Sequence, residues 1–208
     1  NAMFQIGLFV FLPMDRRCEK TMRFLTLYPD KTVVRKDVFV VGDNSSMQFV
    51  EYTEPEKNFN GMENTSLILG KNSRLKHLTM IDGNGSRFVN IKNTIMENGS
   101  MDEWYYASKR LNLGMIIANS LMIGNESSLV YRGAIVGERD EHYDVKTNIY
   151  HYGSRSKSDA NVRVALKDNS RAVMRGSIKV FSESKDSSAY FAGNSLLLSP
   201  NAKSDALP

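Results

Sequence analysis

A polar corner returns along this chain at a nearly fixed interval. It reads Gly42-Asp43-Asn44-Ser45-Ser46, Gly70-Lys71-Asn72-Ser73, Asn98-Gly99-Ser100, Gly124-Asn125-Glu126-Ser127-Ser128 and Gly153-Ser154, and the first residues of these corners are 28, 28, 26 and 29 positions apart. Each follows a compact apolar run such as Val38-Phe39-Val40-Val41, Leu67-Ile68-Leu69 or Leu121-Met122-Ile123. A fixed period of this length marks a repeat fold, in which one unit cannot bury its apolar face alone and must stack on its neighbours. Secondary corners fall about midway, at Asp82-Gly83-Asn84-Gly85-Ser86, Asn112-Leu113-Gly114 and Gly137-Glu138-Arg139-Asp140. Gly and Asn tolerate the left-handed backbone that a sharp bend needs, and Ser and Asp bond back to the turn.

The runs between corners are rich in Val, Ile, Leu, Phe, Tyr and Thr, the composition of strands. Two strands and two corners per unit predict an all-β fold, a parallel β-helix flattened into a two-sheet solenoid of about 28 residues per coil. Proline placement agrees, since none of the five prolines lies between Glu56 and Ser199 and a proline cannot donate to a ladder. Only Met101–Arg110 is free enough of turn signals to be a helix, and its Trp104-Tyr105-Tyr106 core favours a strand.

No linker-like Gly/Ser or Pro-rich stretch interrupts the chain, so one solenoid domain is expected over residues 31–208. Residues 1–30 are read as a tag remnant, Asn1-Ala2-Met3, followed by an N-terminal strand or cap segment. Ile6–Leu12 is apolar but far shorter than the roughly 18 residues of a membrane span, and it lacks the flanks of a signal peptide. Cys18 is the single cysteine, which excludes an intrachain disulfide framework and points to the cytoplasm. Asn-x-Ser/Thr triplets at Asn44, Asn64, Asn84, Asn98 and Asn125 fall mostly at corners, where turn chemistry accounts for them. A net charge of +4, with basic clusters at Arg16-Arg17-Lys20-Arg23 and Arg155-Ser156-Lys157, is too diffuse for a nucleic-acid stripe.

The densest polar segment runs from Glu138 to His151. As a strand from His142, it would place His142, Asp144, Lys146 and Asn148 on one face, and Tyr143, Val145, Thr147, Ile149 and His151 on the other. No metal site is assigned; His142, Asp144 and His151 are the candidate ligands, with Asp140 beside the first two for a carboxylate–imidazole pair. His151, on the apolar face, reads better as a hydrogen-bonded core histidine, and His77 stands isolated. No nucleophile elbow, P-loop, dinucleotide fingerprint or His-Glu-x-x-His motif is present, so no catalytic residue is assigned.

From Arg132 to Pro208 a series of short pieces occurs in a particular order. It runs Tyr131-Arg132-Gly133; Glu141-His142-Tyr143-Asp144 with Thr147 and His151; Ser154-x-Ser156-x-Ser158; Ala165-Leu166-Lys167-Asp168-Asn169-Ser170-Arg171; and Arg175-Gly176-Ser177-Ile178-Lys179-Val180. Then come Ser188-Ala189-Tyr190, Asn194-Ser195-Leu196-Leu197-Leu198-Ser199 and the segment from Asn201 to Pro208. This order and spacing resembles the core domain of the SufB/SufD family, the scaffold proteins of the Suf iron–sulfur assembly system. The resemblance implies a right-handed parallel β-helix, C-terminally truncated relative to the family. The family's Cys-x-His-Gly-type segment and last coils would follow Pro208. The family pairs two subunits through those coils.

The lack of cysteines in the solenoid argues for the SufD type, since a cluster is normally held by about four thiolates. The resemblance thus implies a non-catalytic subunit offering a β-helical surface to a SufB-like partner and a SufC-like ATPase. An iron–sulfur cluster would be held only in complex with partners and no cofactor by this chain alone. Neither nucleic acid nor membrane is expected as a partner. At the C-terminal end, Leu196, Leu197 and Leu198 are the expected partner interface, and a homodimer is expected when the chain is alone. Two other classes stay open: a β-helix enzyme acting on polysaccharide through acids such as Asp140 and Asp144, and a self-assembling structural solenoid.

Overall fold

The computed structural model describes residues 4–29 and 32–207. The tag remnant Asn1-Ala2-Met3, the expected domain start at Lys31 and the chain end at Pro208 lie outside the described residues. Every regular element among the described residues is a strand: β1 (Ile6–Leu12), β2 (Met22–Tyr28), β3 (Thr32–Val41), β4 (Ser46–Pro55), β5 (Asn60–Leu69), β6 (Arg74–Met96), β7 (Met101–Met122), β8 (Ser128–Gly137), β9 (His142–His151), β10 (Lys157–Leu166), β11 (Arg171–Val180), β12 (Ser188–Leu197) and β13 (Lys203–Leu207). No helix is long and apolar enough to cross a membrane among these residues.

All strand pairings are parallel, and they build a two-sheet solenoid of about seven coils. One sheet stacks β1, β3, β5, the second halves of β6 and β7, β9, β11 and β13. The other stacks β2, β4, the first halves of β6 and β7, β8, β10 and β12. Inward residues fall into columns, one residue per coil, such as Phe39, Leu67, Thr94, Ser120 and Ile149. The residues expected to form the N-terminal segment supply β1 and β2. These pair with β3 and β4 and make the first coil in the same rhythm.

The corners show why the period is so regular. Asp15, Asn44, Asn72, Gly99, Glu126, Arg155 and Asp186 stack as the left-handed residue of successive coils, with φ between 55° and 65°. In this stack the expectation that Gly and Asn supply this conformation holds for Asn44, Asn72 and Gly99, with charged residues in the other coils; at the expected corner Asp82–Ser86 it holds for Asn84 and Gly85. Gly124 and Gly153 serve close approach instead. A Cβ on Gly124 would meet Asn98 N at 2.0 Å, and one on Gly153 would meet Gly124 O at 2.0 Å. Inside the same corner a column of buried serines caps the turns. Ser73, Ser100 and Ser156 donate to the carbonyls of Gly70, Glu97 and Gly153 at 2.7, 2.7 and 2.8 Å. The secondary corners expected at Asp82–Ser86 and Asn112–Gly114 are not breaks, since β6 and β7 bend through them without losing strand character. At the first bend the register slips, and at the second Arg110 takes φ 59°.

Outside, a ladder of amides braces one sheet, with Asn148 donating to Asn119, Asn119 to Asn93 and Asn93 to Asn64, at 2.7, 2.8 and 3.0 Å. Stacked identical amides repeat the same bond from coil to coil, and the solenoid supplies the register they need.

Candidate functional site

Strand alternation puts Tyr143, Val145, Thr147, Ile149 and His151 of β9 inside the solenoid, and His142, Asp144, Lys146 and Asn148 outside. His151 has both ring nitrogens engaged, Nδ1 with Ser156 Oγ at 2.7 Å and Nε2 with Ser158 Oγ at 2.8 Å, and burial pushes its pKa down. Asp144 is ion-paired with Arg175 of β11, and Asp140 accepts from Asn169 Nδ2 at 3.0 Å. His142 and Asp144 therefore lie across the sheet wall from His151. Among the described residues no group of three or more His, Cys, Asp or Glu side chains is placed to hold a metal. Several pieces of the ordered motif in the C-terminal part thus meet as structural contacts: His151 with the Ser156-x-Ser158 pair, and Asp144 with Arg175.

The three leucines of the expected interface do not form one surface. Leu197 lies in register with the buried Leu166 and faces the open end of the core, whereas Leu196 lies over Ala165 and Val136 on the outer face. All three are half-exposed or more, at 59% for Leu196, 49% for Leu197 and 58% for Leu198. Cys18 sits in the connection from β1 to β2, its Sγ 3.3 Å from Lys20 O, on the rim of a groove of about 720 Å³ with Arg17, Arg74 and Lys76.

The main chemical feature of the molecule lies inside the N-terminal half of the solenoid. One inward column reads Arg35, Glu63 and Asn90 before turning apolar at Ile116, Val145 and Met174. The next reads Asp37, Thr65 and Lys92 before Ala118. From the opposite sheet come Glu51, Thr79 and Tyr106 in one column, and Phe49, His77, Trp104 and Tyr131 in another. Lys92 Nζ lies 3.0 Å from both Glu51 Oε2 and Thr79 Oγ1, and 5.0 Å from the centre of the Trp104 ring. His77 Nε2 is 3.0 Å from Asp102 Oδ1, and its ring stacks on Trp104. The isolated His77 of the sequence is thus part of a constellation after all, through Asp102 on the next coil.

Buried charges must be paired or neutralised, and this cluster does both. Burial alone would raise Glu51, but Lys92 and the Thr79 hydroxyl hold its carboxyl below the ordinary range. Burial depresses His77, reinforced by Lys92 and opposed by Asp102. Glu63 goes the other way, pushed up to about 7 by burial and then by the Glu51 charge. Burial and the neighbouring Glu63 raise Tyr28, and burial raises Tyr106. Sequence reasoning missed this cluster because its decisive contacts join distant residues, 25 positions apart for His77 and Asp102 and 41 for Glu51 and Lys92. The available signal was polar residues at alternate positions of otherwise apolar strands, as in Asn90-Ile91-Lys92-Asn93-Thr94.

A scan against known families matches residues 25–208 to the SUF system FeS cluster assembly, SufBD core domain. The chain belongs to the SufBD core family. The match opens within β2 and takes in every later strand, so the SufBD core here is the solenoid itself. Its membership places this SufBD chain in iron–sulfur cluster assembly. A search of curated proteins finds no match.

Proposed function

We propose that this SufBD core chain is a SufD-like, non-catalytic subunit of the assembly scaffold, working in the cytoplasm. It offers its β-solenoid faces to a SufB-like partner and a SufC-like ATPase. Alone, it pairs with a second copy of itself. The observation that carries the reading is the thiol count: Cys18 is the single thiol, in the corner between β1 and β2 of the first coil. An iron–sulfur cluster takes about four thiolates, so a cluster passing through such a complex needs donors from a partner. Of the two inward histidines, His151 has both ring nitrogens on serines, while His77 has Nε2 against Asp102 and is sealed inside the solenoid.

Two measurements test this. The chain, supplied anaerobically with iron, sulfide and reductant, is expected to keep no visible-absorbing cluster through desalting. Mixed with a SufB-like subunit and a SufC-like ATPase, it is expected to co-elute as a complex that does. A stoichiometric cluster on the chain alone, or failure to associate with either subunit, overturns the reading.

A further inference from the structure

Beyond its ladders to β3 and β4 and the apolar packing of residues such as Leu8, Val10 and Phe24, the first coil is tied to the rest of the solenoid by a small set of buried polar bonds. Arg35 of β3 is central to it. Its Nε lies 2.8 Å from Asp37, and its terminal nitrogen donates to Thr26 Oγ1 of β2 at 2.6 Å. Asp37 in turn accepts the backbone N–H of Leu8 in β1 at 2.9 Å. Tyr28, at the end of β2, stacks on Phe59 and donates its hydroxyl to Glu63 Oε1 at 2.7 Å. Glu63 also accepts from Asn90 Nδ2 at 3.2 Å and lies 3.4 Å from Thr53 Oγ1. Among the described residues β1 pairs only with β3, and β2 only with β4, so neither has a second sheet neighbour.

We propose that Glu63 is the proton-operated catch of a latch that closes this first coil, β1 and β2, over the end of the solenoid.

The charge balance around Glu63 gives the physical reason. Facing it are Tyr28 from β2, Arg35 and Asp37 from β3, and Glu51 and Thr53 from β4, with Asn90 and Lys92 from β6 and the buried Tyr106 from β7. The two cations are already engaged, Lys92 by Glu51 and Arg35 by Asp37. An ionised Glu63 is therefore a third carboxylate for two cations, in a buried place. Protonated, it is neutral, and Asn90 Oδ1, buried without a partner, is an acceptor for the new proton once the amide turns over. Lifting β2 away hydrates the ionised carboxylate, so ionisation favours the open coil. The same opening removes the Tyr28 bond and uncovers the edges of β3 and β4, where another strand can pair.

The sign follows from the raised carboxyl. The stabilisation of the closed coil by the protonated carboxyl is full below the ordinary glutamate value of 4.5 and is lost as pH rises through about 7. The switching range therefore ends at neutral pH.

Amide hydrogen exchange on the whole chain at pH 5.5 and 8.5, corrected for intrinsic rates, tests the latch. Protection in β1 and β2 is expected to fall about tenfold or more at the higher pH while β9 and β11 keep theirs. Glu63→Gln is expected to hold the protected state at both values. Tyr28→Phe is expected to weaken β2 at both while leaving the titration in place. Protection of β2 that is unchanged with pH, or that changes equally in the Gln variant, overturns the proposal. Should the Gln variant fail to fold, a carbon-13 titration of the native carboxyls decides. A midpoint near 7 for Glu63 that tracks β2 protection supports the latch, and one in the ordinary range overturns it.

Discussion

Lys92 reaches across the inside of the solenoid to Glu51, on the opposite sheet and 41 positions away in the chain, and closes to 3.0 Å. Both side chains are nearly sealed from solvent, and the ammonium also faces the rings of Trp104 and Phe49. A charge placed so deep is held by its partner and by the aromatic faces, not by water.

Removing one member of this pair strands the other. Lys92→Met is expected to destabilise the chain by about 3–5 kcal/mol, because the Glu51 carboxylate is left buried and uncompensated. The double variant with Glu51→Leu is expected to recover most of that loss, since an apolar pair needs no compensation. Denaturant unfolding of the two single variants and the double variant completes the cycle. Equal losses in single and double variants contradict this account.

Acid should act through the buried histidines. Burial holds His77 and His151 below the ordinary value of 6.5, so the unfolded chain binds protons there that the folded chain refuses. Their contribution to stability is full above about 6.5 and is lost as pH falls through that value. Each accounts for up to about 1.4 kcal/mol per pH unit in that range. Gln can still bond to Ser156 and Ser158, so His151→Gln is expected to flatten the slope of unfolding free energy between pH 5 and 6.5 while retaining the fold. An unchanged slope assigns the acid sensitivity elsewhere.

The proposed self-pairing predicts a difference between neighbouring leucines. Leu197 faces the open core above Leu166, so Leu197→Lys is expected to move the mass in light scattering toward the monomer. Leu196→Lys, on the outer face beside Ala165 and Val136, is expected to matter less. A monomer at high concentration before any substitution contradicts pairing through this end.

The solenoid was legible because its signals are local. A corner returning about every 28 residues and the absence of proline from Glu56 to Ser199 are properties of one strand or one turn at a time. Face assignment in β9 was legible for the same reason, since alternation of side chains is a property of any strand. What the glycines do was less so. Gly124 and Gly153 were expected to supply a left-handed turn, yet they are there because the neighbouring coil's backbone passes where a Cβ would stand. Only the stacking distance between coils shows that.

By itself the sequence determined the repeat, the strand composition and the alternating faces, and the ordered motif pieces carried the resemblance to the SufB/SufD scaffolds. The tertiary structure alone decided which inward residues meet. His77 finds Asp102 on the next coil, and His151 finds Ser156 of the adjoining corner and Ser158 of β10. Glu63 finds Tyr28 from 35 positions earlier. These partners are chosen by coil register and by the width of the space between two sheets. A shift of one residue in any corner would exchange the inward and outward faces and pair different groups.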